Sequence, residues 1–108
     1  MQLLTNELRA AFEKFPLHSQ EGKLDAATVV VKYFDPCGRY TFFATEGQPD
    51  GDDFLLFGYC VSPLGEDCDE WGYTALSELQ SVKGRFGLGI ERDLSLPVAG
   101  KELGACRS

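Results

Sequence analysis

The stretch "AATVVVKYFDPCGRYTFFAT", residues 26–45, decides the fold that we predict for this chain. Its first half is rich in β-branched and aromatic residues, which favour β-strands. In the following "DPCG", Pro36 presets the second position of a turn and Gly38 suits its last position. The run "RYTFFAT" is again typical of a strand. The stretch therefore predicts two antiparallel strands joined by a tight turn.

The flanking segments predict two helices and further strands. "TNELRAAFEKFP" has the apolar spacing of an amphipathic helix, with Thr5 as N-cap and Pro16 at its end. "FLLFGYCVS" and "WGYTAL" predict strands, and Gly58 in the first of them indicates a bulge or a close approach by another backbone. "SELQSVK" predicts a short helix that begins with an S-x-x-Q capping box and stops at Gly84. Residues 90–96 alternate like a strand.

We predict an α+β fold from this order of elements. It has a single antiparallel sheet of about four to five strands, an N-terminal helix and a short second helix. Length and composition indicate one domain over residues 1–108. The ordered core covers about residues 2–96, and a glycine-containing tail over residues 97–108 is predicted to be loosely held.

The net charge of −7 is unevenly distributed along the chain. No Lys or Arg occurs between Arg39 and Lys83, whereas nine acidic residues do. Such a surface disfavours direct binding to a nucleic-acid backbone and favours a protein partner with a basic surface. The predicted partner-binding residues are Asp50, Asp52, Asp53, Glu66, Asp67, Asp69 and Glu70. Because the "DGDD" loop does not continue into a calcium-binding pattern, we predict no metal site there.

Several other function classes lack support in the sequence. No apolar run approaches the roughly 18 residues of a membrane span, and the N-terminus lacks the pattern of a secretory signal. The four cysteines, which form no C-x-x-C pair, are predicted to be reduced thiols in a cytoplasmic protein. His18 is the only histidine, and no motif marks a nucleophile. We predict no cofactor and no catalytic residue, and the sequence leaves the oligomeric state open.

The stretch "GRFGLGIERD" contains the second candidate site. Its glycines are not in the order of a dinucleotide-binding fingerprint, and they precede a strand instead of following one. Alternation places Arg92 on the core-facing side with Ile90 and Leu94, where its charge needs a carboxylate partner. Glu46 and Glu78 are candidate partners. We therefore predict a cluster that is either a structural ion pair or a ligand site near the turn at residues 84–89. Its members are Glu46, Glu78, Glu91, Arg92 and Asp93.

Several segments carry a resemblance to a known family. They are "LLTNELR", "VKYFDPCGRYTFFATEG", "DFLLFGY", "GYTALSELQSV" and "GRFGLGIERDLSL", and together they cover roughly residues 2–96. The chain resembles a family of small bacterial proteins with a domain of unknown function, encoded largely on plasmids and conjugative elements. This resemblance implies a bacterial cytosolic setting and a mobile-DNA context, and it supplies no catalytic residues.

Three hypotheses about function follow. The first is a non-enzymatic interaction protein that uses its acidic surface, for example to inhibit a host defence nuclease by imitating DNA. The second is a small-ligand binder or enzyme that uses Arg92, Glu91 and Glu46. The third is an assembly partner in conjugation.

Overall fold

The computed structural model describes residues 2–82 and 89–107. The chain begins with helix α1, Asn6–Glu13. The Thr5 hydroxyl accepts the backbone N–H of Leu8 at 3.1 Å, which confirms Thr5 as the N-cap. Leu8 and Phe12 are buried on the inner side of this helix. The predicted N-terminal helix is therefore present, and its apolar stripe faces the core.

The main sheet has five strands in the order β5-β4-β3-β2-β6, and every neighbouring pair is antiparallel. These strands are β2 (Val31–Phe34), β3 (Thr41–Asp50), β4 (Asp53–Val61), β5 (Glu70–Ala75) and β6 (Glu91–Arg92). A second, two-stranded sheet pairs β1 (Thr28–Val29) with β7 (Lys101–Glu102). The α+β class is confirmed, but the prediction of one single sheet is wrong, because the C-terminal segment adds this second sheet.

A β-bulge at Thr45 sets the geometry of strand β3. Ala44 pairs with Gly58, whereas Glu46 pairs with Phe57, so β3 carries one extra residue between these pairs. The bulge shifts the alternation of side chains, and Glu46 therefore faces the side of the sheet opposite to Ala44. Beyond the bulge, β3 continues to Asp50 through "EGQPD".

Gly58 lies opposite this bulge. A Cβ atom at position 58 would overlap the backbone carbonyl of Phe43 and crowd Cα of Ala44. The predicted close approach of another backbone at Gly58 is therefore confirmed. The alternative prediction was a bulge at Gly58, and the bulge lies instead in the partner strand β3.

One face of the main sheet carries α1 and the second helix, α2 (Leu76–Ser81). Side chains from both helices and from alternating positions of β2, β3 and β4 fill the space between them. The largest of these are Leu8, Phe12, Tyr33, Phe42, Phe54, Leu56 and Leu79. The two predicted helices thus cover the same face of the sheet, as expected for this fold class.

The C-terminal segment partly covers the opposite face. Helix α3, Leu103–Arg107, places Leu103 in a fully buried position against Val29 and Phe43. The N–H of Leu103 also donates to the carbonyl of Ala27 at 2.9 Å. The prediction of a loosely held tail therefore differs from the structure, because one apolar side chain and a backbone ladder attach the tail to the sheet.

The predicted strand over residues 90–96 is much shorter in the structure. Only Glu91 and Arg92 are in strand β6, and Leu94 is 68% exposed instead of facing the core. The Asp93 carboxylate accepts the N–H of Ser95 at 2.9 Å and its hydroxyl at 2.6 Å, which bends the chain into a turn. The predicted helix stop at Gly84 and the turn that follows it lie outside the described residues.

Candidate ligand pocket and acidic surfaces

A cavity of about 250 Å³ opens on the face of the sheet that α1 and α2 leave uncovered. It lies between strands β4 and β5 and the loop that connects α1 to β1, here called the 14–27 loop. Glu46 and Gln20 form its inner end, and three aromatic side chains of β4 and β5 form one wall. Among the cavities of the described residues, this one combines an aromatic wall with a buried carboxylate.

Glu46 is only 2% exposed, although its side chain is a carboxylate. Oε1 accepts the backbone N–H of His18 at 2.7 Å, and Oε2 accepts the backbone N–H of Gln20 at 2.9 Å. Within residues 2–82 and 89–107, no Lys or Arg nitrogen lies within salt-bridge distance of this carboxylate. Because burying a carboxylate without hydrogen bonds is costly, these two bonds stabilise Glu46 in its buried position.

Gln20 connects the 14–27 loop to both sheets. Its side-chain Nε2 donates to the carbonyls of Thr28 at 2.8 Å and Thr45 at 2.7 Å, and its Oε1 accepts the N–H of Thr28 at 2.6 Å. Gln20 is 4% exposed, and its bond to Thr45 is buried, whereas the two bonds to Thr28 are partly buried. The carbonyl that it binds at Thr45 belongs to the bulge residue. The inner end of the pocket is therefore fixed by polar contacts to the β3 bulge.

The aromatic wall consists of Phe57, Trp71 and Tyr73. Phe57 and Tyr73 are paired across β4 and β5, with ring centroids 4.8 Å apart. Phe57 and Trp71 are stacked, with centroids 5.7 Å apart and an interplanar angle of 17°. Tyr73 is 55% exposed. The three rings give the pocket an apolar surface that remains open to solvent.

The loop over the pocket has a strained backbone. His18 and Leu24 line the pocket and have φ angles of +73° and +51°, in the left-handed region that non-glycine residues rarely adopt. Such conformations persist only where surrounding contacts determine them, and they are concentrated at functional sites. Here the bond from the His18 N–H to Glu46 is one of those contacts.

Two residues of the predicted acidic surface have internal partners. The Asp53 carboxylate accepts the N–H of Ser77 at 3.1 Å and also its hydroxyl, and these bonds, led by the hydroxyl, lower the pKa of Asp53. The Asp69 carboxylate is held by Arg39 through two bonds of 2.9 Å and also accepts the N–H of Ser62. The bonds from Arg39 lower the pKa of Asp69. Both residues therefore stabilise local structure at the surface.

The other five predicted residues form the exposed acidic set: Asp50, Asp52, Glu66, Asp67 and Glu70. Asp50 and Asp52 lie at the β3–β4 turn, and Glu66, Asp67 and Glu70 lie near the other end of β4. Since β4 has nine residues, the two ends are separated by roughly 30 Å. Among the described residues, no group of three or more His, Cys, Asp or Glu side chains is placed to hold a metal ion.

The predicted cluster around Arg92 is not assembled as one site. Arg92 pairs with Tyr33 on the helix-covered face, and its Nε donates to the carbonyl of Gln2 at 3.2 Å. Glu46, one of the two candidate partners of Arg92, faces the other side of the sheet, so this pairing is wrong. The β3 bulge is the physical reason, because it reverses the direction in which residue 46 points.

The remaining members of that cluster have local roles. Glu78 accepts the N–H of Ala75 at 3.3 Å at the start of α2, where the sequence had predicted a capping box from Ser77 to Gln80. The Asp93 carboxylate accepts hydrogen bonds from Ser95 and lies 3.6 Å from the Lys32 ammonium. These contacts lower the pKa of Asp93, and the bond from the Ser95 hydroxyl has the largest effect. Glu91 pairs with Phe34 at the sheet edge and is half-buried.

The four cysteines are free thiols in the structure. Burial, followed by the nearby carboxylates of Asp69 and Glu70, raises the pKa of Cys60. Burial likewise raises the pKa of Cys106. These two thiols are therefore disfavoured as thiolates at neutral pH, which makes them poor nucleophiles.

Sequence reasoning missed the aromatic wall and Gln20. One signal was present, because Phe57, Trp71 and Tyr73 occupy the positions of their strands that alternate with the core positions. Three rings on the noncore face of adjacent strands indicate a second packed or binding surface. No comparable signal existed for Gln20, since its three partners are contributed by the tertiary fold.

The fold and the pocket define a small α+β protein with a five-stranded antiparallel sheet, an acidic surface and an aromatic-walled cavity. The chain belongs to the family described as "Protein of unknown function (DUF2958)", whose model matches residues 3–101. This membership confirms the predicted resemblance to a family with a domain of unknown function. No curated protein and no solved structure matches the chain. No helix within the described residues is long and apolar enough to span a membrane.

Proposed function

We propose that this chain is a non-enzymatic interaction protein that binds a basic surface on a host or element-encoded protein. The observation that carries the proposal is the exposed acidic set, which lies in the part of the sequence between Arg39 and Lys83 that has no Lys or Arg. Asp53 and Asp69 are not included in the binding surface, because their carboxylates have internal partners. The interaction takes place in the cytoplasm of a bacterium.

The spacing of these carboxylates supports a partner that normally binds DNA. Two groups of exposed acids separated by roughly 30 Å present negative charge over a length comparable to one turn of a DNA duplex. A nuclease groove lined by Lys and Arg would attract such a surface by the same long-range field that attracts phosphates. Inhibition of a host defence nuclease is the specific form of this proposal that suits a mobile-DNA setting.

The test is capture of the partner from a bacterial lysate by the purified chain. The charge-removal variant carries Asp50→Asn, Asp52→Asn, Glu66→Gln, Asp67→Asn and Glu70→Gln, and it leaves the internally bonded carboxylates intact. The control variant removes exposed acids elsewhere, namely Glu7, Glu13 and Glu102, each changed to Gln. We expect the first variant to lose the partner and the control to retain it.

Salt provides an independent measurement on the same complex. Attraction between exposed charges is screened over about 8–10 Å at physiological ionic strength. Capture should therefore weaken steeply as salt rises, and a captured nuclease should lose activity in the presence of the wild-type chain. A partner that binds the charge-removal variant as tightly as wild type would show that the acidic surface is not the binding site.

A further inference from the structure

We propose that the pocket between Glu46 and the aromatic wall binds an organic cation of the ammonium or guanidinium type. This goes beyond the acidic-surface proposal, because Glu46 is not one of the exposed acidic residues and the pocket opens on a defined face of the sheet. The inference combines three features of the same cavity: its charge, its aromatic surface and its size.

The charge of the pocket is negative. Among the described residues, its lining includes the carboxylates of Glu46 and Glu21 and no Lys or Arg. Each Glu46 oxygen accepts one backbone N–H, whereas an ionised carboxylate has about four acceptor positions. Glu46 can therefore accept further hydrogen bonds from a cation that enters the pocket. Such a cation would supply the opposite charge that no described Lys or Arg provides.

The aromatic wall suits the same ligand. The faces of Trp and Tyr rings carry negative electrostatic potential and attract an ammonium or guanidinium group within about 6 Å of the ring centre. Phe57 contacts both Trp71 and Tyr73, so the three rings form one continuous surface beside the carboxylate. A neutral ligand would gain the apolar contact with these rings but would leave the Glu46 charge uncompensated.

The size and backbone of the site indicate a small ligand. Its volume of about 250 Å³ is below the range of roughly 300–1,000 Å³ that is typical of clefts for drug-sized molecules. The left-handed His18 and Leu24 lie at the same cavity, where strain is expected if the loop is shaped for binding. A free small cation and the end of a Lys or Arg side chain of a partner both have the required chemistry.

Trp71 gives a direct measurement, because it is the only tryptophan in the chain and it lines the pocket. The probes for a free cation are choline, n-butylammonium and n-propylguanidinium. The neutral control is 3,3-dimethyl-1-butanol, which has the shape of choline without its charge. Blocked Gly-Ser peptides with one central Lys or Arg represent a partner side chain. Each probe is titrated to about 10 mM while Trp71 emission is recorded.

We expect a saturable change in Trp71 emission with at least one cationic probe and binding of the neutral control that is at least roughly tenfold weaker. Binding of the small cations assigns the site to a free ligand. Binding of the peptides alone assigns it to a partner side chain. Equal binding of choline and its neutral analogue, or no response to any probe, would overturn the inference.

Two variants separate a binding role from a folding role. Glu46→Gln removes the charge and should weaken binding roughly tenfold. Tyr73→Leu removes a ring that is 55% exposed, so it should preserve the fold and still weaken binding several-fold. Glu13→Gln, an exposed change outside the pocket lining, is the matched control and should bind like wild type. If Tyr73→Leu and Glu46→Gln both bind the cation as wild type does, the pocket is not the site.

Discussion

Replacing Glu46 with alanine should destabilise the protein by about 2–4 kcal/mol. The change leaves the N–H groups of His18 and Gln20 without their acceptor, and a buried donor left unpaired costs about 1–3 kcal/mol. The Gln20 N–H lies in a buried bond, so it should incur the larger cost, whereas the His18 N–H is only partly buried and water can replace part of its bond. Relief of the buried charge offsets some of this loss.

Urea unfolding followed by circular dichroism measures this change in the free energy of unfolding. With a urea dependence of about 2 kcal/mol per molar, the midpoint should fall by roughly 1–2 M. Glu46→Gln should give a smaller loss, because its amide oxygen still accepts one of the two N–H groups. Glu70→Ala, an exposed change on strand β5 of the same sheet, should stay within about 0.5 kcal/mol of wild type.

A Glu46→Ala protein with the same unfolding midpoint as Glu70→Ala would refute this reasoning. It would mean that the carboxylate does not hold the 14–27 loop against the sheet. The strained backbone of His18 would then need another cause, and the pocket would lose its defined inner end.

Three further predictions test other parts of the structure. Leu103→Ala should lower the free energy of unfolding by about 2–5 kcal/mol, because Leu103 is fully buried. An effect near zero in urea unfolding would instead support the prediction that the tail is loosely held. Gly58→Ala should cost at least about 1–3 kcal/mol by the same assay, since the new Cβ meets the rigid backbone of Phe43, and wild-type stability would contradict the close approach. The pKa of Asp53 is lowered on folding, so its stabilisation is complete above the unfolded value of about 3.9 and is lost as pH falls through the lower folded value. Melting temperatures measured from about pH 6 to pH 2 should therefore fall less steeply for Asp53→Asn than for wild type, and identical slopes would argue against the bonds to Ser77.

The elements that the sequence predicts correctly are those with strong local signals. The Thr5 cap, the apolar stripe of α1 and the turn around Pro36 each depend on residues close together in the chain. The same is true of the strand-like composition of β2, β3 and β4. These signals act before any tertiary contact forms, so they can be read from a short window of sequence.

The elements that were missed are short and depend on distant partners. Strand β7 has two residues and α3 has five, so neither is long enough to show a periodic pattern. The two-residue strands β1 and β6 lie inside longer predicted strands, whose ends the sequence placed wrongly. The glycines at positions 100 and 104 favoured a loose tail, whereas the burial of Leu103 depends on Val29 and Phe43, more than 50 residues earlier in the chain. Tertiary packing therefore overrides the local preference here.

The candidate pocket could not be predicted because it depends on one extra residue in β3. Without the bulge at Thr45, residue 46 would point to the same face as Phe42 and Ala44, into the apolar core under the helices. An ionised carboxylate there would have no backbone donors and would be very costly to bury. The bulge instead turns Glu46 towards the 14–27 loop, where two backbone N–H groups donate hydrogen bonds to its carboxylate. Gly58 lies opposite this bulge. The same local irregularity keeps Glu46 away from Arg92 and also builds the inner end of the proposed cation site.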